Sequence, residues 1–130
     1  MTRKIYTGKK ATSSGPYSHA VDASDYLFFS GQTAHNAVGY SGETYDIVTQ
    51  TEMCFVHLKD VMEEAGVTLD NVVKVNVYLT GMKHFDEMNA VYEKMFSEPF
   101  PVRTCVAVLE LPLGADVEIE CIAKRSLNEE

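Results

Sequence analysis

Arg103 lies between Val102 and Thr104 in a stretch that alternates like a β-strand, and it is the one cation between Lys94 and Lys124. A guanidinium in a half-buried strand must be paired. Its planar fork suits a carboxylate held by two parallel hydrogen bonds. Two kinds of partner are open: a small carboxylate ligand, or Glu118 or Glu120 on a neighbouring strand. Those two glutamates share a strand face, where one can meet solvent or a neighbouring subunit. Cys105 shares the face of Arg103, either lining the same cavity or packing as a small buried hydrophobe. Gly15-Pro16-Tyr17-Ser18 is a turn ahead of a strand, with Tyr17 an edge aromatic. Ser30-Gly31-Gln32 ends a strand, and the backbone after such a glycine either approaches a ligand closely or simply turns.

Other chemistries find less support. His19, His35, His57 and His84 form no H-x-x-x-H, and no metal site is expected. Cys54 and His57 stand three apart on one helix, but two ligands make a poor zinc site, and a helix-surface pair is expected. No G-x-S-x-G, P-loop or G-x-G-x-x-G occurs, so no nucleotide cofactor is expected. Cys54, Cys105 and Cys121 are odd in number and lack a C-x-x-C, which fits a reducing compartment such as the cytoplasm. The formal net charge is −8, and no Lys or Arg occurs over residues 11–58, so nucleic acid and anionic membranes are unfavourable partners. No apolar run approaches the ~20 residues of a transmembrane helix. The first 21 residues carry Arg3, Lys4, Lys9 and Lys10 and no acid, which resembles a mitochondrial transit peptide in composition. The competing reading starts the first strand at Ile5–Tyr6.

The elements that must position these residues follow from periodicity. The 130 residues suit one domain. Residues 17–22 and Tyr26–Ser30, separated by Asp22-Ala23-Ser24-Asp25, predict a hairpin. Residues 31–45 predict a loop without a core. Ile47, Thr51, Cys54, Phe55, Leu58, Val61, Met62 and Ala65 recur at helical spacing, with Asp46 as N-cap and Gly66 as the stop. In residues 72–80, Val73, Val75, Val77 and Leu79 share one face of a strand, opposite Val72, Lys74, Asn76 and Tyr78. Phe85, Met88, Tyr92, Met95 and Phe96 mark a second helix, ended by Pro99 and Pro101. Two further strands run from Val102 and from Val117. The order is ββαβαββ, with a short extra strand near Ile5: an α+β fold with both helices on one sheet face. Apolar and bulky residues on the second face then require a partner, and an oligomer is expected.

Five ordered blocks carry a resemblance. They are Gly15-Pro16-Tyr17-Ser18, Phe29-Ser30-Gly31-Gln32, Asn89-Ala90-Val91-Tyr92, Pro101-Val102-Arg103-Thr104-Cys105-Val106, and Leu111-Pro112 with Val117-Glu118-Ile119-Glu120. Together they resemble the RidA (YjgF) family of enamine/imine deaminases, from about Ile5 to Ala123. The resemblance implies a chorismate-mutase-like sheet, a homotrimer with clefts between subunits, and cofactor-free hydrolysis. The substrates it implies are 2-imino acids such as 2-iminopropanoate and 2-iminobutanoate, converted to 2-keto acids and ammonia. It makes Arg103 the carboxylate clamp and Glu118 the residue that positions or activates water, with Glu120 its neighbour on the same face. Tyr17 and Cys105 would line the cleft, with Ser30, Gly31 and Asn89 in support. The loop Thr33–Glu43 departs from the Ile-Pro-type stretch common in the family, which leaves the preferred imine open. Cys121 stands where alanine is common and is expected in the core. The alternative function is a non-catalytic trimer that binds keto or amino acids or acts as a chaperone-like regulator.

Overall fold

A computed structural model describes residues 2–126. Six strands form one sheet: β1 (Lys4–Tyr6), β2 (Ala20–Ala23), β3 (Tyr26–Gln32), β4 (Val72–Leu79), β5 (Val102–Ala107) and β6 (Val117–Lys124). Their spatial order is β1-β2-β3-β6-β4-β5. β4 and β5 run parallel, while β1–β2, β2–β3, β3–β6 and β4–β6 pair antiparallel. The two α-helices are α1 (Ile47–Ala65) and α2 (Phe85–Met95). α2 supplies the crossover that a parallel β4–β5 pair requires. The fold is α+β, and the first strand begins where Ile5–Tyr6 predicts it.

α1 starts and stops where its sequence says. The Asp46 carboxylate accepts the Thr49 N–H at 2.8 Å, and Gly66 ends the helix in the left-handed conformation at φ 78°. Its apolar stripe of Cys54, Phe55, Leu58, Val61 and Met62 packs on Val75, Val77, Leu79, Val117, Ile119, Cys121 and Ala123, which forms the core. Cys121 lies in that core as expected. Along β6 every second residue is buried, and Glu118, Glu120 and Ile122 turn to the other face.

Three local expectations are corrected. A register shift between Val72 and Lys74 puts Val72 in the core and leaves Val73 half-buried, so the valine row starts at Val75. Such a bulge sets two residues against one, and inverts the alternation on one side of it. The segment read as a coreless loop carries Gln32, Thr33, Ala34, His35 and Asn36 buried. It lies over α1, where His57 Nδ1 donates to the Thr33 carbonyl at 3.0 Å. Cys54, packed on the sheet, and His57, under this segment, are both buried rather than a helix-surface pair. Polar composition hid this segment because its core contacts are made by a few small and amide side chains.

Candidate active site

β5 and α2 build the first part. Arg103 pairs across the sheet with Val75, and Cys105 with Val77. Residues directly opposite on adjacent strands share a face. Val75 and Val77 face the helices, so Arg103 and Cys105 do too. There Arg103 Nη1 donates to Asn89 Oδ1 at 2.6 Å. Its guanidinium carbon lies 4.6 Å from the Tyr92 ring centroid and 5.6 Å from that of Phe85. An aromatic face attracts a guanidinium while leaving its in-plane N–H donors available to a ligand. Among the described residues the ion pairs are Lys9–Glu64 and Arg125–Asp22. The expected alternative pairing of Arg103 with Glu118 or Glu120 is therefore not what forms. Burial raises the Cys105 thiol pKa, so Cys105 is a neutral wall beside the arginine.

The second part lies on the opposite face. Glu118 pairs with Tyr78 and Glu120 with Asn76, and both glutamates point away from the helices. Glu120 Oε2 accepts two hydrogen bonds, from Tyr78 Oη at 2.7 Å and Asn76 Nδ2 at 2.8 Å. The hydrogen bond to Glu120, then burial, pushes the Tyr78 phenol up to about 12. Glu118 has no such donors. Burial, then the charge of Glu120, raises its carboxyl pKa above the ordinary range. The two neighbouring carboxyls thus differ: Glu120 is held by two hydrogen bonds, and Glu118 is a buried carboxyl of raised pKa.

Glu118 lies against Gly31. β3 changes register between Phe29 and Gln32, so Ser30 and Gly31 sit in an irregular stretch beside β6. A Cβ on Gly31 would overlap the Glu118 carboxylate, so only glycine permits this approach. Ser30 Oγ donates to the Ser18 carbonyl at 2.6 Å, which ties β3 to the turn before β2. In that turn the Tyr17 N–H reaches the Gly15 carbonyl at 2.9 Å, and Tyr17 Oη accepts the Ser14 N–H at 3.2 Å. Ser14, Tyr17, Ser30, Gly31, Pro112, Glu118 and Glu120 line a cleft of about 280 Å³.

The candidate residues thus fall into two groups. Tyr17, Ser30, Gly31 and Glu118 come together on the open face; Asn89, Arg103 and Cys105 come together on the helix face. The sheet lies between them. Phe85 and Tyr92 as a cradle for Arg103, and Asn76 and Tyr78 as anchors of Glu120, were missed as functional neighbours. A signal existed for the first pair: Phe85, Asn89 and Tyr92 recur at four and three residues, which puts them on one helix face.

Comparison with known proteins agrees with this architecture. The family described as endoribonuclease L-PSP matches residues 7–125. A RutC family protein of Aquifex aeolicus is 41% identical over 127 residues, covering 93% of this chain and 98% of that protein. The crystal structure of RidA from an Antarctic Psychrobacter superposes with a TM-score of 0.87 at 36% identity, covering 94% of this chain and 99% of that one. E. coli TdcF with bound serine superposes with a TM-score of 0.87 at 31% identity, covering 95% of this chain and 99% of that one. The chain belongs to the RidA/YjgF family, also described as endoribonuclease L-PSP and RutC.

Proposed function

We propose that this protein hydrolyses 2-imino acids and their enamine tautomers, such as 2-iminopropanoate and 2-iminobutanoate, to 2-keto acids and ammonia. One observation carries the reading: Arg103 has an amide and two aromatic rings as neighbours, while Glu118 is a protonatable carboxyl in a separate cleft. A ligand carboxylate is the natural partner for the remaining guanidinium donors. A carboxyl of raised pKa suits proton transfer near neutrality.

A homotrimer follows as the working assembly, with the cleft between two copies. β5 is an edge strand, with Val102 64% and Val106 41% exposed, and an apolar edge of that kind invites another chain. Arg103 of one copy then faces the Glu118 cleft of the next. Tyr17, Gly31 and Cys105 form walls, and Ser30 and Asn89 hold their neighbours in place.

Arg103 fixes the carboxylate, which places the imine carbon beside water. As the water oxygen bonds to carbon, the C=N electron pair moves onto nitrogen and one water proton passes to Glu118. Glu118 returns that proton to nitrogen. As the C–N bond then breaks, the hydroxyl proton passes through Glu118 to the departing nitrogen, so ammonia leaves and the keto group forms. No cofactor is required, because the imine carbon is already electrophilic and positioning supplies most of the acceleration.

The direct test adds the protein to a threonine dehydratase assay under conditions where free imine hydrolysis is slow. Faster release of 2-ketobutyrate is expected, with the acceleration lost in Arg103→Ala. An Arg103→Ala protein of full activity would overturn the assignment.

One observation favours a second reading, amino-acid or keto-acid binding without turnover: the relative TdcF holds serine. That reading expects ligand-dependent stabilisation and no acceleration. RNA cleavage, which the family description names, suits a net charge of −8 poorly. Among the described residues no helix is long and apolar enough to cross a membrane. We assign the activity to the cytoplasm; the fission-yeast relative mmf1, 39% identical, is described as mitochondrial.

A further inference from the structure

A second, smaller cavity adjoins the Glu118 cleft. It has a volume of about 20 Å³ and shares Ser14, Tyr17, Gly31, Pro112 and Glu118 with the larger space. Its wall adds Thr33, Asn36 and Leu113. One water needs roughly 10–15 Å³ of such space and two to four polar partners. The cavity therefore has the size of a single water molecule and is too small for a substrate.

Two of the polar side chains that line it are buried and carry an unused atom. Thr33 is 3% exposed and Asn36 4%. Thr33 Oγ1 and Asn36 Oδ1 have no hydrogen-bond partner among the described residues. Leaving two such atoms without any partner costs about 1–3 kcal/mol each, so a bridging water is strongly favoured. The Asn36 side chain and the backbone of both residues are held by hydrogen bonds. Asn36 Nδ2 donates to Gln32 Oε1 at 3.0 Å, which leaves its Oδ1 as the atom available. The Asn36 N–H reaches the Thr33 carbonyl at 3.3 Å, and the Asn36 carbonyl accepts from Thr12 N–H at 3.1 Å. His57 Nδ1 donates to that same Thr33 carbonyl.

We propose that Thr33 and Asn36 are positioning residues that hold the hydrolytic water against Glu118. This rests on the deaminase reading above. The water donates one proton toward Asn36 Oδ1 and the other toward the Glu118 carboxylate, and Thr33 Oγ1 donates to its oxygen. A remaining lone pair is then left for the imine carbon. When the water attacks, its oxygen bonds to carbon, and Glu118 takes the proton it already faces.

Thr33→Val tests this without changing side-chain shape. The hydroxyl has no protein partner, so a purely structural role expects Thr33→Val to keep its rate and stability. A positioning role expects kcat to fall about tenfold or more with KM unchanged, because the water is not part of substrate binding. Thr33→Ser should restore the rate. A high-resolution crystal structure of the wild type should show an ordered water on Thr33 Oγ1, Asn36 Oδ1 and Glu118, and Thr33→Val should lose it. A dry cavity in the wild type, or a full rate for Thr33→Val in an active enzyme, overturns the water site alone. A wild type without imine hydrolysis overturns the deaminase reading, and the positioning role with it.

Discussion

Arg103 and Glu118 point to opposite faces of one sheet. Arg103 pairs with Val75, which faces the helices; Glu118 pairs with Tyr78, which faces away. No side-chain rotation brings a guanidinium and a carboxylate together through a packed sheet. Any reaction that uses both must draw them from two chains.

Asn89 fixes the direction of the guanidinium through a 2.6 Å bond. Hydrogen bonds to charged groups are worth about 1.5–3 kcal/mol, so Asn89→Ala should raise KM roughly tenfold or more. kcat should change less, because the proton-transfer machinery is on the other face. Steady-state kinetics on 2-iminobutanoate generated in situ measures both. An unchanged KM would remove Asn89 from substrate binding.

Glu118 and Glu120 set a pH dependence. Burial and the charge of Glu120 raise the Glu118 pKa, so the folded state holds that proton more tightly than the unfolded chain does. The resulting stabilisation is fully present below the ordinary carboxyl value of 4.5 and is lost as pH rises through the raised value. Glu118→Gln should therefore raise Tm at neutral pH, with the gain shrinking in acid. Glu120→Gln removes the neighbouring charge, so the acid limb of the kcat profile should move to lower pH. Thermal melts across pH and a pH–rate profile check the two signs.

Gly31 leaves room for the Glu118 carboxylate, and Gly31→Ala would drive that side chain aside. The atom displaced is the end of a flexible chain, so the stability loss should stay near or below about 1 kcal/mol. Activity should fall far more, since a misplacement of about 1 Å costs on the order of a hundredfold. Tm and kcat measured together separate the two effects. Equal retention of both would show that Glu118 needs no precise placement.

Much of the fold was legible in the sequence. Asp46 and Gly66 marked the ends of α1 because caps are local. β6 announced its two faces through strict alternation of Val117, Ile119 and Cys121 with Glu118, Glu120 and Ile122. The bulge at Val72–Lys74 was not legible, because a one-residue shift among valines changes no composition. Nor was the burial of Gln32–Asn36, which depends on α1 passing beneath a polar segment. Candidate site residues were visible as types and motifs. Their separation onto two faces was not, since strand register is fixed only once β4 joins β5 on one side and β6 on the other.

Subunit mixing tests the shared site most directly. Arg103→Ala and Glu118→Gln should each be inactive alone. Unfolded together in equal amounts and refolded, they should form mixed trimers in which about one quarter of the clefts combine an intact Arg103 with an intact Glu118 from different chains. Imine hydrolysis should return to about that fraction of the wild-type rate. A mixture that assembles as trimers and stays inactive would contradict a site built from two chains.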